Sequence, residues 1–160
     1  MKNIQFSASF EEYSDKEDLE ASDKELMDMA MEARDRSYSP YSQFSVGAAV
    51  LLENGKIVTG NNQENAAYPS GMCAERVAIW TASAMYPGIR VLKLLLSGKS
   101  KLRLVETPVS PCGACRQVLS EYESKQDSKI EIYFTGETGK VIKTKSVRDL
   151  LPFSFDGSLV

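Results

Sequence analysis

Apolar residues recur along this chain in two rhythms, and the alternation between them sets the order of its elements. From Asp23, DKELMDMAMEARDRSY places Leu26, Met27, Ala30, Met31 and Ala33 at helical spacing with charges between them. The methionines there suit core packing. Pro40, in SPYSQ, disfavours helical geometry at Ser39 and stops that helix. FSVGAAVLL is a largely apolar run of the kind a well-buried strand needs. Asn54-Gly55 follows, the strongest short signal for a tight hairpin, so IVTGNN is expected to return antiparallel. QENAAYPSG reads as loop, and CAERVAIWTASAMY as a helix stopped by Pro87-Gly88. IRVLKLLLSG reads as a buried strand, CGACRQVLSEYES as a helix, and KIEIYFTG and VIKTKSV as two strands across a turn at ETGK. A short helical turn, VRDLL, precedes PFSF.

A hairpin followed by strand–helix–strand crossovers predicts an α/β fold with antiparallel pairing early and parallel pairing later. The expected architecture is a three-layer α/β/α arrangement around a five-stranded mixed sheet. Residues 1–20 alternate charge and small polar groups without clear periodicity and read as a polar extension, leaving 21–160 as one domain. No repeat or low-complexity tract interrupts it.

Composition then narrows the chemistry. A net charge of -3 over 160 residues gives no electrostatic footprint for a phosphate backbone, so nucleic acid is not an expected partner. No run approaches the ~20 apolar residues of a membrane span. The polar, acidic start lacks the apolar block of a secretory signal, so a cytoplasmic location is expected. The chain contains no histidine. That excludes serine–histidine and cysteine–histidine nucleophilic pairs and any zinc site built on imidazole. Proton transfer must fall to a carboxylate, a thiol, a lysine or a tyrosine.

The three cysteines, Cys73, Cys112 and Cys115, all fall at the openings of two helices. An odd count in a reducing compartment argues against a disulfide framework. Cys112-x-x-Cys115 alone could be a thioredoxin-like redox pair. A third thiol at another helix start makes a metal site the better reading, provided the two openings meet at the sheet's edge. Three thiolates leave one tetrahedral position free, as catalytic zinc requires. Each helix start also carries a positive end and unpaired N–H groups that lower thiol pKa values. Glu75, two residues after Cys73, either complements the helix dipole or reaches into such a site. Arg76 and Arg116 are candidates to offset the excess thiolate charge; the alternative for Arg76 is a surface arginine.

Cys-Ala-Glu at 73–75 followed by PCGACRQ from Pro111 resembles the zinc-dependent cytidine deaminases of the short, homotetrameric, three-cysteine kind. SPYSQFSVGAAVL, GNNQENAAYPSGMCAERVAI, SPCGACRQVL and LLPFSF match that family's blocks in order, from about Arg34 to Phe155. The resemblance implies one Zn2+ per chain on Cys73, Cys112 and Cys115, with Glu75 shuttling protons and Arg76 compensating charge. It implies a small-molecule nucleoside substrate, cytidine or 2'-deoxycytidine, deaminated to the uridine product with release of ammonia in pyrimidine salvage. Asn62 and Glu64 then match the ribose-binding pair, and Phe44 the aromatic along the pyrimidine. Ala74 also falls in the substrate site, while Tyr68 and Phe155 match aromatics supplied across a homotetramer, with Phe153 a weaker match. Asn61 stands where relatives often carry cysteine.

Each assignment has a plainer alternative. Asn61, Asn62 and Asn65 also suit the shaping of a loop, Phe44 a strand core, and the aromatics the filling of an interface. Two other functions also fit the motifs. One is deamination of a different aminopyrimidine. The other is a structural zinc site closed by Glu75.

Overall fold

The computed structural model describes residues 1–157. Among them a six-stranded mixed sheet forms the middle layer, in the order β1-β6-β5-β4-β2-β3. The strands are β1 (Glu11–Tyr13), β2 (Phe44–Leu52), β3 (Ile57–Asn61), β4 (Val91–Ser100), β5 (Glu131–Thr135) and β6 (Val141–Thr144). The helices are α1 (Ala21–Asp35), α2 (Ala74–Met85) and α3 (Gly113–Gln126).

The β2–β3 hairpin turns through Asn54-Gly55, where Gly55 adopts φ 78°, the left-handed conformation a side chain disfavours. β4 returns antiparallel to β2, and the α3 crossover then sets β5 parallel to β4. β6 closes on β5 antiparallel. The α/β architecture and mixed pairing therefore match expectation; the strand count does not. The sixth strand comes from the polar extension, where Glu11, Glu12 and Tyr13 pair with Lys143, Ile142 and Val141 of β6. Lys140 holds Glu12 at 2.6 Å, and Tyr13 packs on apolar residues beneath. A three-residue strand with two glutamates has no apolar rhythm to announce it.

Alternate residues of the central strands feed two cores. Leu94 and Leu96 of β4 pack with Ala48 and Val50 of β2 against Ala74, Ala78, Ile79 and Ala82 of α2 and Leu119 of α3. Leu95 and Tyr133 face the other way, against Leu26 and Met27 of α1. Full burial of each such leucine stabilises the fold by about 1.5–3 kcal/mol. Helices thus cover both faces of the sheet. No described helix is long and apolar enough to cross a membrane.

Candidate active site

α2 and α3 begin at the same edge of the sheet. Cys73 is the residue before the first turn of α2 and Cys112 the residue before that of α3, both extended (ψ 152° and 166°). Their side chains therefore project from helix openings, where unpaired backbone N–H groups and the positive end of each dipole favour thiolate. The sulfurs converge: Cys73 Sγ lies 3.9 Å from Cys112 Sγ, Cys112 Sγ lies 3.5 Å from Cys115 Sγ, and all three fall within 4.8 Å of one another. Zinc–sulfur bonds of about 2.3 Å in a tetrahedron set sulfurs ~3.8 Å apart. The observed spacings straddle that value, so the donor set fits one zinc per chain. Cys115 is buried and Cys112 exposed, which leaves the cluster closed below and open on one side.

Arg76 Nη2 donates to Cys73 Sγ at 3.4 Å, and the guanidinium lies over the Trp80 ring at 5.9 Å. A hydrogen bond from Cys115, with Arg76 adding to it against the effect of burial, draws the Cys73 thiol down to about 5. The same shared proton pushes Cys115 up. Arg116, considered for the same charge role, does something else. Its guanidinium donates to the Pro111 carbonyl at 2.8 Å, the Leu150 carbonyl at 2.9 Å and Ser110 Oγ at 3.1 Å. It braces the loop before Cys112 and ties it to the C-terminal segment.

Glu75 sits in the first turn of α2 and is only 4% exposed. Burial raises its carboxyl above the ordinary range, and the nearby Cys73 thiolate adds to this.

A cavity of about 470 Å³ opens over Cys73 and Arg76. Its walls include Asn62, Gln63, Glu64 and Asn65 from the chain beyond β3, Tyr68 and Met72 from the loop before α2, and Tyr41 and Ser42. A larger hollow of about 700 Å³ lies beside Lys125, Lys129 and Arg148 near the other end of α3, remote from the sulfurs. The smaller one is the candidate, because Cys73, a member of the one group of three metal-ligating side chains among the described residues, is one of its walls.

Glu64 Oε2 accepts from the backbone N–H groups of Tyr41 at 2.9 Å and Ser42 at 3.2 Å. Burial acts to raise this carboxyl, but the Ser42 side chain and those two N–H groups outweigh it and hold the pKa below the ordinary value. Asn62 Oδ1 accepts from Val46 N at 2.8 Å and its Nδ2 donates to the Phe44 carbonyl at 2.9 Å, extending the β2 ladder with a side chain. One amide hydrogen of Asn62 and one oxygen of Glu64 stay available. Gln63 and Met72 exchange backbone hydrogen bonds at 2.9 and 2.8 Å, holding the loop before Cys73 against the β3 extension.

The sequence candidates thus divide by position. Asn62, Glu64, Tyr68, Cys73 and Arg76 share one cavity. Phe44, Ala74, Glu75, Cys112, Cys115 and Phe155 are not among its walls. Phe44 opens β2 with its ring tip close to Gly98, Ala74 is fully buried, and Phe155 is 60% exposed with its backbone clasped by Gln117 at 2.6 Å. Phe153 instead meets Phe6 of the extension edge-on, centroids 4.6 Å apart. Tyr41 and Ser42 were not singled out from sequence. Their place in the turn after Pro40, just before the strand that opens at Phe44, was the available signal.

A profile of the cytidine and deoxycytidylate deaminase zinc-binding region matches residues 20–128. The chain belongs to this family. A cytidine deaminase of Sporosarcina psychrophila is 41% identical over 132 residues, covering 82% of this chain and 90% of the relative. One from Halalkalibacterium halodurans is 39% identical over 131 residues, 81% and 91% of the two chains. The 1.6 Å crystal structure of cytidine deaminase from Burkholderia pseudomallei superposes with a TM-score of 0.70 at 39% identity, covering 82% of this chain and 97% of that one. In this family setting the three-sulfur cluster is a zinc site.

Proposed function

We propose that this protein catalyses the zinc-dependent hydrolysis of cytidine and 2'-deoxycytidine to uridine and 2'-deoxyuridine, releasing ammonia, as a step of pyrimidine salvage. The observation that carries this reading is one cavity whose walls include Cys73, Asn62 and Glu64, with the buried Glu75 two residues from that cysteine.

Zinc, held by Cys73, Cys112 and Cys115, supplies the Lewis acidity that makes water a competent nucleophile near neutral pH. Glu75 takes a proton from the attacking water and delivers it to ring nitrogen 3, which makes carbon 4 more electrophilic. It then takes the remaining proton from the oxygen added at carbon 4 and passes it to the amino group, so that the carbonyl forms as the C–N bond breaks and ammonia departs. Burial raises this carboxyl, which favours the protonated form it must adopt between transfers. Arg76 offsets the negative charge of the thiolates.

Glu64 and Asn62 hold the ribose hydroxyls. A carboxylate oxygen accepts from a sugar O–H, and the free amide hydrogen donates to one. Phe44 lies along the pyrimidine, and Ala74, between Cys73 and Glu75, borders the ring. Tyr68 and Phe155, exposed by 77% and 60%, reach the site of a neighbouring subunit in a homotetramer, Tyr68 while also walling the cavity of its own chain. Large aromatics left this open on one chain support that assembly. Three free thiols poised as ligands suit a reducing compartment, which supports a cytoplasmic location.

Purified protein given cytidine tests the reading directly. Stoichiometric uridine and ammonia support it; a zinc-loaded protein inert to cytidine and deoxycytidine sinks it.

A further inference from the structure

Gly60 lies on β3 where the buried face of the strand meets the first turns of α2. A Cβ there would stand 2.5 Å from Ala78 N, 2.7 Å from the Ala74 carbonyl oxygen and 3.0 Å from Ala78 Cα. All three are helix backbone atoms, so no rotamer change can clear them. The φ of Gly60 is not in the left-handed region, unlike those of Gly55, Gly88 and Gly139. Close approach, rather than backbone conformation, is what demands glycine at this position. The helix contributes small residues in return. Ala74, Ala78 and Ala82 recur at every fourth position and are fully buried.

The contact has a specific place in the site. Beyond Gly60 the chain continues through Asn62 to Glu64, whereas Ala74, opposite it, stands between Cys73 and Glu75. The candidate cavity takes Asn62, Gln63 and Glu64 from one partner and Cys73 and Arg76 from the other. The gap between β3 and α2 therefore sets the distance from the nucleoside-holding groups to the metal and proton-transfer groups. It also sets how far Cys73 lies from Cys112 and Cys115, which belong to a different helix.

We propose that Gly60 is a positioning residue for the deamination: its missing side chain fixes the separation of α2 from β3, so that Cys73 completes the zinc triad and Glu75 meets the pyrimidine. The inference rests on the deaminase reading. A side chain at position 60 displaces the start of α2, while zinc sites keep their ligand distances within about 0.2 Å.

The test compares the parent protein, Gly60→Ala and Leu95→Ala. Leu95 belongs to the core on the opposite face of the sheet, so its truncation reports destabilisation alone. Zinc affinity is measured by chelator competition, with the visible spectrum of the cobalt-substituted protein, Tm, kcat and KM for cytidine. Both variants are expected to melt lower. Gly60→Ala alone should lose about tenfold or more in zinc affinity and about 100-fold in kcat, with an altered cobalt spectrum. Zinc affinity, spectrum and kcat indistinguishable from those of Leu95→Ala overturn the proposal. If Gly60→Ala does not fold, Ala78→Val, which adds bulk at the buried α2 residue whose backbone meets Gly60, is judged by the same readouts and the same two outcomes. A parent protein that binds zinc without converting cytidine refutes the deaminase reading instead, and the metal affinities still judge Gly60.

Discussion

Arg76 Nη2 reaches back one helical turn to Cys73 Sγ at 3.4 Å, so the helix that supplies a metal ligand also supplies a cation to that ligand. Three thiolates on a dication leave a net negative charge, which opposes acidification of the water they serve. A guanidinium on one sulfur reverses part of that. Arg76→Gln should keep the fold and lose about 10–100-fold in zinc affinity or kcat. In zinc-free protein it should also raise the Cys73 pKa from about 5 toward the ordinary ~8.5. The pH dependence of alkylation at Cys73 measures this, and an unmoved profile would remove Arg76 from the account.

Glu75 is the one buried carboxylate in the first turn of either cysteine-bearing helix. Replacing it with glutamine preserves its shape and removes the exchangeable proton. Glu75→Gln should retain zinc and Tm while kcat falls by about 10²–10⁴. Metal analysis beside single-turnover rates separates the two effects. Loss of zinc together with turnover would mean that the carboxylate is a ligand, and the site a closed one.

Glu64 links the ribose side of the cavity to the turn at Tyr41 and Ser42. Its folded pKa lies below that of the free side chain. The stabilisation it provides is therefore complete above about pH 4.3 and is lost as pH falls through the lower folded value. Exchange protection of the Tyr41 and Ser42 amides should drop in that acid window. Glu64→Gln should abolish the dependence and raise KM for cytidine, with a smaller effect on kcat. Equal loss on cytosine and on cytidine would contradict a ribose contact.

How much of this was visible in the sequence depends on the kind of signal each feature leaves. β2 appears at Phe44–Leu52 because a continuous apolar run ends at an Asn-Gly turn, and both signals are local. The cysteine triad was legible because residue type and helix position carry the chemistry, although its convergence needed the fold. β1 was not legible: Glu11 and Glu12 have no apolar rhythm, and the strand exists through pairing with residues more than a hundred positions away. The task of Arg116 stayed open for a related reason. Sequence shows that a charge is present near Cys115, but only geometry shows that it points at the carbonyls of Pro111 and Leu150.

Tyr133, on the face opposite the site, donates to Asp23 Oδ2 at 2.7 Å, with Lys93 paired to the same carboxylate. Burial, then the Asp23 bond, pushes the phenol far above its ordinary value. The neutral form is the one the fold favours, so this stabilisation is complete below about pH 10 and declines as pH rises further. Alkaline unfolding should thus set in above that point, with one tyrosine ionising only as the protein unfolds. Tyr133→Phe should flatten the alkaline limb and cost about 1 kcal/mol at neutral pH. An unchanged alkaline midpoint in urea titrations would assign that limb elsewhere.

Deletion of residues 1–14 tests whether the sixth strand serves the fold or the reaction. It removes β1 and the Lys140–Glu12 pair but spares Asp15, which caps the 3-10 turn at Lys16–Asp18, and the buried Leu19. β1 lies at the sheet margin beyond β6, whereas the sulfurs sit at the openings of α2 and α3. The truncated protein should therefore bind zinc and turn over cytidine with unchanged kcat. Its Tm should fall by a few degrees, about what 1 kcal/mol represents in a chain of this size. The uncovered β6 edge should also make it more prone to aggregate, because an open strand offers unpaired N–H and carbonyl groups to another chain. Light scattering during a thermal ramp reads this out. A selective loss of kcat with Tm intact would instead give the extension a part in catalysis, through the Phe6–Phe153 contact that joins it to the segment bearing Phe155.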